Sequence, residues 1–130
     1  MSLSRKARRA RQAAGRGTSD LKMSEVLTDV ALPLLEQVPD GDAEGHELAL
    51  RMGGMLWNAS RESDEQAREK TIAQLVALAD EHGAAGIEAL CREVIARAQN
   101  LYPHMDRIIA RVEVTPLPGG RYNVVVASAG

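Results

Sequence analysis

The sequence predicts an α+β fold in which about four helices pack on a C-terminal antiparallel β-hairpin, preceded by a flexible basic N-terminal arm. Three observations support this prediction. Apolar residues recur at helical spacing from about residue 24 to residue 101, and the period changes from 3.6 to 2 near residue 108. Six of the sixteen Lys and Arg residues lie in the first 17 positions, which hold no acid. We therefore expect an arm over residues 1–19, disordered or nascent helix, and a single domain over residues 20–130.

The arm is strongly basic, whereas the rest of the chain is acidic. Residues 1–17 carry a net charge of +6, and residues 18–130, with ten basic and eighteen acidic residues, carry −8. Any attraction to a polyanion must therefore come from the arm. The candidate phosphate-binding residues are Arg5, Lys6, Arg8, Arg9, Arg11 and Arg16. They predict salt-sensitive, sequence-blind binding to nucleic acid or the ribosome. The alternatives are a solubilising tail, an arm docked on the acidic body of its own or a neighbouring subunit, and a targeting segment.

Two helices are predicted before residue 61. The first has Ser24 as its N-cap and ends by Val38, and Pro33 should kink or break it near Leu32. The second extends over about residues 43–60.

The second predicted helix is apolar on two sides. One stripe consists of Leu48, Met52, Met55, Leu56 and Ala59, and a different face carries Leu50 and Trp57. Gly53 and Gly54 lie in its middle, where the missing side chains would let another backbone approach closely. Trp57 is interpreted either as a core residue whose N–H finds one partner or as an anchor for a partner protein.

Two more helices follow. Ser63 to Gln66 reads as a capping box, and the third helix should end at His82-Gly83 with the glycine in a left-handed conformation. The fourth extends from about residue 85 until Pro103 ends it. Glu88–Arg92 and Glu93–Arg97 are expected to be ion pairs on its exposed side.

The last segment alternates as a β-hairpin around a turn at residues 116–120. One face is expected to hold Ile108, Ala110, Val112 and Val114, together with Tyr122, Val124 and Val126. Two strands alone leave two open edges, so we expect a homodimer that joins two hairpins into a four-stranded sheet. Val125, Ala127 and Ile109, predicted on the second face, favour this interpretation. The candidate partner-binding residues are Trp57, Val125 and Ile109.

The motifs that carry chemistry are weak. Residues 40–45 begin like a calcium-binding loop, but Arg51 stands where such a loop needs its bidentate glutamate, and Leu48 offers no side-chain oxygen. The three histidines show no ligand spacing, and Cys91 falls in an apolar stripe, where a buried thiol is inert. We therefore expect no catalytic residue, no metal and no cofactor, although a site assembled from scattered residues between helices stays open.

Several stretches together resemble a known family. They are the basic arm, MSEVLTDVALPLL at 23–35, LWN at 56–58, and the hairpin segments VEVT at 112–115 and VVVAS at 124–128. In this combination the chain resembles a family of small uncharacterised bacterial proteins, and the likeness covers most of its length. The resemblance implies a bacterial cytosolic setting and no site residues. The single cysteine and the lack of a long apolar run also favour a cytoplasmic protein without a membrane partner.

The leading functional interpretation is a small non-enzymatic interaction or assembly module that dimerises through its C-terminal hairpin. The first alternative is a nucleic-acid- or ribosome-associated accessory protein that binds phosphates through the arm. The second is an enzyme with an unrecognised interhelical site. The identity of any protein partner does not follow from the sequence.

Overall fold

A computed structural model describes residues 22–81, 83, 86–119 and 121–129, and its elements form an α+β fold. In chain order they are α1 (Met23–Val30), α2 (Leu32–Leu35), α3 (Ala43–Arg61), α4 (Glu65–Glu81), α5 (Ile87–Leu101), β1 (Ile108–Leu117) and β2 (Arg121–Ala129). The two strands pair antiparallel, as predicted. The basic arm at residues 1–19 lies outside the described residues.

Helix α3 is the element on which the others pack. It contacts α1, α2, α4, α5 and β1, so it is buried on more than one side. Leu50 and Trp57 are buried on one face, and Met52 and Leu56 are buried in the same core cluster. This confirms that the helix is apolar on two sides. The predicted stripe was wrong in one respect: Leu48 and Met55 are 39% and 44% exposed.

The break predicted at Pro33 is present. Helix α1 ends at Val30, Ala31 leaves helical geometry with ψ near 1°, and α2 begins at Leu32 with Pro33 in its first turn. A proline is tolerated there because the first helical N–H groups have no intrahelical partner. The predicted N-cap at Ser24 was wrong, since α1 already begins at Met23.

Gly53 allows α3 to touch the junction between α1 and α2. A Cβ atom placed on Gly53 would lie 2.7 Å from the Cβ of Ala31 and 3.7 Å from its Cα. Its neighbour Gly54 faces β1, with the Cγ2 atom of Val112 at 3.3 Å from such a Cβ. The close approach of another backbone is therefore confirmed at Gly53, whereas the atoms nearest to Gly54 are side-chain atoms of Val112 and Ile109.

One of the predicted helix ends needs a correction. The Asp64 Oδ1 atom, not Ser63, accepts a hydrogen bond from the Gln66 N–H at 3.0 Å, so the capping residue lies next to the one predicted. Gly83 has the expected left-handed φ of 75°.

Arg97 was predicted on the exposed side of α5, but its guanidinium turns inward and pairs with Asp29 at 2.9 Å. The carboxylate of Asp29 is buried, and a buried charge requires a partner.

A β-bulge changes which residues of β1 face the helices. The register shifts between Ile109 and Arg111, so that Ala110 is an extra residue in β1. As a result Ile109 and Val112 are both buried, whereas Ile108 and Ala110 are exposed. The faces predicted for Ile108, Ile109 and Ala110 were therefore wrong. The prediction assumed that inward-facing and outward-facing residues alternate strictly along β1, and one extra residue reverses that order.

Replacing Gly53 with alanine tests the contact between α3 and Ala31. We expect Gly53→Ala to lower the free energy of unfolding, because overpacking of about 1–3 kcal/mol exceeds the gain of about 1 kcal/mol in helix propensity. Urea unfolding measures the difference. Ala31→Gly removes the opposing Cβ, so the double variant should recover part of the loss as a favourable coupling energy. A Gly53→Ala protein more stable than the parent would contradict this packing.

Candidate interaction surface at the outer edge of the hairpin

Two adjacent side chains of α3 hold the base of the hairpin. The Trp57 Nε1–H donates to the carbonyl oxygen of Arg107 at 2.7 Å. The Asn58 Nδ2–H donates to the carbonyl oxygen of Ile109 at 2.9 Å, and the Ile109 N–H donates to Asn58 Oδ1 at 2.8 Å. One side-chain amide thus satisfies both backbone groups of one strand residue, as a neighbouring strand would do.

Arg61 secures the connection between α5 and β1. Its guanidinium donates to the carbonyl oxygens of Ala98 at 2.6 Å, Tyr102 at 2.5 Å and Met105 at 2.7 Å. The Ala98 oxygen also accepts from the Tyr102 N–H at 3.2 Å, so the guanidinium reinforces the last turn of α5. The same guanidinium lies 4.2 Å from the centroid of the Trp57 ring. Burial lowers the pKa of Arg61, and the nearby Asp106 carboxylate opposes that change.

A buried polar cluster joins α1 to α5. The Asp29 carboxylate accepts from Arg97 Nη2 at 2.9 Å and from the Tyr102 hydroxyl at 2.7 Å. Arg97 also donates to the backbone oxygen of Asp29 at 2.7 Å. Because these groups are engaged with one another inside the fold, we assign the cluster to positioning the helices around Trp57.

The outer edge of β1 presents unpaired backbone groups. The Ile109 N–H and C=O point away from β2, because both reach Asn58. Ile109 pairs with Ser128, and Val112 pairs with Val126. Ser128 and Val126 are two residues apart on β2, which has no bulge between them, so their backbone groups point the same way. Since hydrogen-bonded and non-hydrogen-bonded pairs alternate, the N–H and C=O of Val112 also point outward. Val114 follows the same rule.

This open stretch of edge is bounded at both ends. At one end Asn58 occupies the position opposite Ile109. At the other end the next outward-facing residue is Pro116, which has no N–H to donate. Within the described residues the sheet has two strands, so no third strand covers the rungs between these limits. We name this stretch, residues 110–114, the β1 edge.

The exposed apolar side chain of Met55 on α3 flanks the β1 edge. A groove of about 300 Å³ runs between the helix and the strand, and its lining includes Arg51, Met55, Asn58 and Arg111. Met55 and Leu48 are seven residues apart on α3, so they share one helical face. Both are exposed. An unpaired strand edge beside exposed apolar side chains is the arrangement by which extended segments add to a sheet.

The edge of β2 has a different character. It borders a larger groove of about 510 Å³ against α1, whose lining combines the polar residues Lys22, Ser24, Glu25, Asn123 and Ser128 with Met23, Val124, Val125 and Val126. The polar side chains would have to be desolvated before a partner strand could bury the apolar ones. Between the two edges, the chemistry therefore favours β1.

The sequence-predicted site residues are scattered by the structure. Trp57 and Ile109 lie in the core, so they face the interior of the protomer. Val125 is 48% exposed on the outward face of β2. The six basic residues of the arm lie outside the described residues. The backbone of Ile109 nevertheless borders the β1 edge through Asn58, a residue that the sequence analysis names only as part of the LWN segment.

Within the described residues, the groups that the sequence marked for possible chemistry take part in the fold. In the part of the chain that is described, no group of three or more His, Cys, Asp or Glu residues is placed to hold a metal ion. The acidic loop at 40–45 instead caps α3, since Asp42 Oδ1 accepts from the Gly45 N–H at 3.0 Å. Cys91 is buried, and burial raises the pKa of its thiol, as expected for an unreactive cysteine.

His46 connects the N-terminal part of α3 to the start of β2. Its ring stacks on Tyr122 with centroids 3.9 Å apart and planes 9° from parallel. The side chain is 4% exposed, and its Nε2 atom has no hydrogen-bond partner within the described residues. Burial lowers the pKa of His46 below its ordinary value of 6.5. The neutral ring therefore belongs to the folded state.

Acid should weaken the fold through His46. The unfolded chain binds a proton at His46 near pH 6.5, whereas the folded chain resists it, so stability falls as the pH drops below 6.5. His46→Phe retains an aromatic ring against Tyr122 and removes the titration. We expect the fall in unfolding free energy between neutral pH and the folded-state pKa to be smaller in this variant. Urea unfolding at a series of pH values measures it, and an unchanged pH dependence would contradict the assignment.

Comparison with known proteins adds no family to this description. No protein-family model, no curated protein and no solved structure matches the chain. Among the described residues, no helix combines the length and the apolar character needed to cross a membrane. The resemblance to a family of small bacterial proteins stays a prediction, and function must be argued from the surface itself.

Proposed function

We propose that the protein is a small non-enzymatic interaction module that assembles as a homodimer through its C-terminal hairpin. The observation that supports the proposal is the β1 edge, whose outward backbone groups lie beside exposed Met55. Folded proteins usually pair, cover or charge such an edge, because it recruits other strands. A second copy of the same chain presents the same edge, so two copies can pair without a different partner protein.

The hairpin fits this role because its geometry is fixed within one protomer. Asn58 and Trp57 tie its base to α3, and the His46 ring stacks on Tyr122 near its turn. A rigid edge loses little conformational freedom when it pairs, so more of the interaction energy contributes to affinity.

Substituting an exposed apolar residue beside the β1 edge tests the dimer. We expect the parent chain to behave as a dimer of 14.0-kDa subunits at tens of micromolar in sedimentation equilibrium. Met55→Lys places two charges at the interface and should raise the dissociation constant about tenfold or more.

Leu78→Lys is the matched control. Leu78 is also an exposed apolar residue of a helix, at 36%, but it lies on α4 and does not line the groove beside β1. This variant should dimerise like the parent. A parent that is monomeric over the whole concentration range would refute the proposed function.

A second candidate function follows from the charge distribution. The arm carries +6 while residues 18–130 carry −8, so the arm attracts a polyanion and the net charge of the remaining chain opposes its approach. We propose that, if the protein has a nucleic-acid partner, contact is made through the basic residues of the arm and is independent of sequence.

Removing the charges of the arm tests this candidate. The full chain should retard duplex DNA or RNA in a gel at low salt, through up to about six phosphate contacts. The gel shift should disappear as the salt concentration rises. Deleting residues 1–17 should abolish the shift. A variant that replaces the six basic residues with glutamine keeps the length and should behave like the deletion. No shift by the full chain at low salt would eliminate this candidate.

A further inference from the structure

We propose that the turn end of the hairpin is released from α3 when the buried ring of His46 gains a proton, while the base of the hairpin stays bound. The turn end is residues 115–123, and the base is residues 107–112. The turn end is attached to α3 through a histidine, whereas the contacts described above for the base involve an indole, an amide and apolar side chains. Mild acid therefore acts on one end of the hairpin and spares the other.

The two ends of the hairpin are attached to different parts of α3. The base binds Trp57 and Asn58 near the C-terminus of the helix. Tyr122, near the turn, stacks on His46 in the first turn of the helix. His46 and Trp57 are eleven residues apart, which is about 17 Å along a helix that rises about 1.5 Å per residue. One attachment can therefore open without directly disturbing the other.

Tyr122 is the main contact of the turn end with the rest of the protomer. Among the described residues from Thr115 to Asn123, it is the one residue that is not exposed. In the base, by contrast, Ile109 and Val112 are buried in the core. A region with few buried contacts opens at a lower cost in free energy than the core does. Loss of the stack is thus sufficient to release the turn end, and the base keeps its own contacts.

A proton on His46 is incompatible with the closed stack. The residue is 4% exposed, and its buried Nε2 atom has no hydrogen-bond partner within the described residues. In the charged ring both nitrogens carry a hydrogen, so the Nε2–H would have neither an acceptor nor water. The ring also lies in the first turn of α3, where the helix dipole disfavours a positive charge. Separation of the His46 and Tyr122 rings gives the charge access to water.

The charged groups of the surrounding elements do not stabilise the protonated ring. Asp42 caps α3, Glu47 pairs with an arginine of the same helix, and Glu44 is exposed. On β2 the neighbouring charge is Arg121, which is positive and exposed. Burial is accordingly the cause that lowers the pKa of His46. The neutral ring and the closed turn end therefore belong together.

Release of the turn end would also affect the β1 edge. Val114, the last open residue of that edge before Pro116, directly precedes the turn end. A mobile edge loses more conformational freedom on pairing than a fixed one, so acid should weaken the dimer. This consequence rests on the proposed function, whereas the release itself does not.

NMR spectroscopy of the full chain tests the release, because the two ends of the hairpin carry different reporters. The ring protons of Tyr122 lie against the His46 ring, and the Nε1–H of Trp57, the single tryptophan, reports on the base. As the pH falls through the pKa of His46, we expect the Tyr122 ring resonances to move to the positions of an exposed tyrosine. The Trp57 indole N–H should keep its chemical shift and its protection from exchange with water.

Two results of this titration would overturn the inference. Tyr122 resonances that stay in place while His46 titrates would show that the charged ring is accommodated within the stack. A Trp57 indole N–H that loses its protection at the same pH as Tyr122 moves would show that the base opens together with the turn end. The titration uses the parent chain, so it decides the question even if a substitution prevents folding.

A substitution of His46 identifies the titrating group. His46→Phe keeps a ring against Tyr122 that cannot gain a proton, so the Tyr122 resonances of this variant should not move in the same pH range. The matched control is His104→Gln, since His104 is an exposed histidine that precedes the base. This control should titrate like the parent. If His46→Phe releases its turn end as the parent does, another group is responsible and the inference is overturned.

Sedimentation equilibrium at the same pH values tests the consequence for the dimer. We expect the dissociation constant of the parent to rise as His46 gains its proton, and that of His46→Phe to rise less. Equal increases in both proteins would refute the link between the release and the dimer. A parent that is monomeric at neutral pH would instead refute the proposed function, and the NMR titration would still decide whether the turn end is released.

Discussion

The position of the hairpin depends on two adjacent side chains, Trp57 and Asn58. The indole N–H of Trp57 reaches the Arg107 carbonyl, and the Asn58 amide satisfies both backbone groups of Ile109. Gly54 removes the side chain that would otherwise hold Val112 away from α3. Because a buried backbone group without a partner costs free energy, these contacts fix both the distance and the register of the strand. The remainder of the β1 edge is left open as a result.

Much of the architecture followed from local signals in the sequence. The change of hydrophobic period separated helices from strands, and Pro33 marked the break between α1 and α2 because its missing N–H acts within one turn. Gly53 and Gly54 indicated a close approach, because glycine in the middle of a helix is costly without such a reason. Each of these signals concerns a residue and its immediate neighbours, which is why a single sequence carries it.

The features that shape the candidate surface depend on contacts between distant parts of the chain. The bulge at Ala110 places Ile109 in the core. The alternation of apolar and polar residues in the sequence gives no sign of the extra residue. Arg97 sits at a position suited to an exposed ion pair, but the buried Asp29 draws it inward. The LWN triplet contains Asn58, but only the position of the strand shows that its amide matches the edge of β1. Tertiary partners decide these positions.

The contacts made by Trp57 have a consequence for the order in which the molecule is completed. The indole and its acceptor at Arg107 are 50 residues apart along the chain, and Asn58 and Ile109 are 51 apart. Closing such long loops costs conformational entropy, so we expect the helices to form before the hairpin docks on them. Until the hairpin docks, the surface of α3 that β1 covers, including the backbone of Gly54, is exposed to solvent and can associate with other chains. A nascent or truncated chain that ends before residue 107 would leave that surface uncovered. The C-terminal hairpin therefore protects the helices from association with other chains.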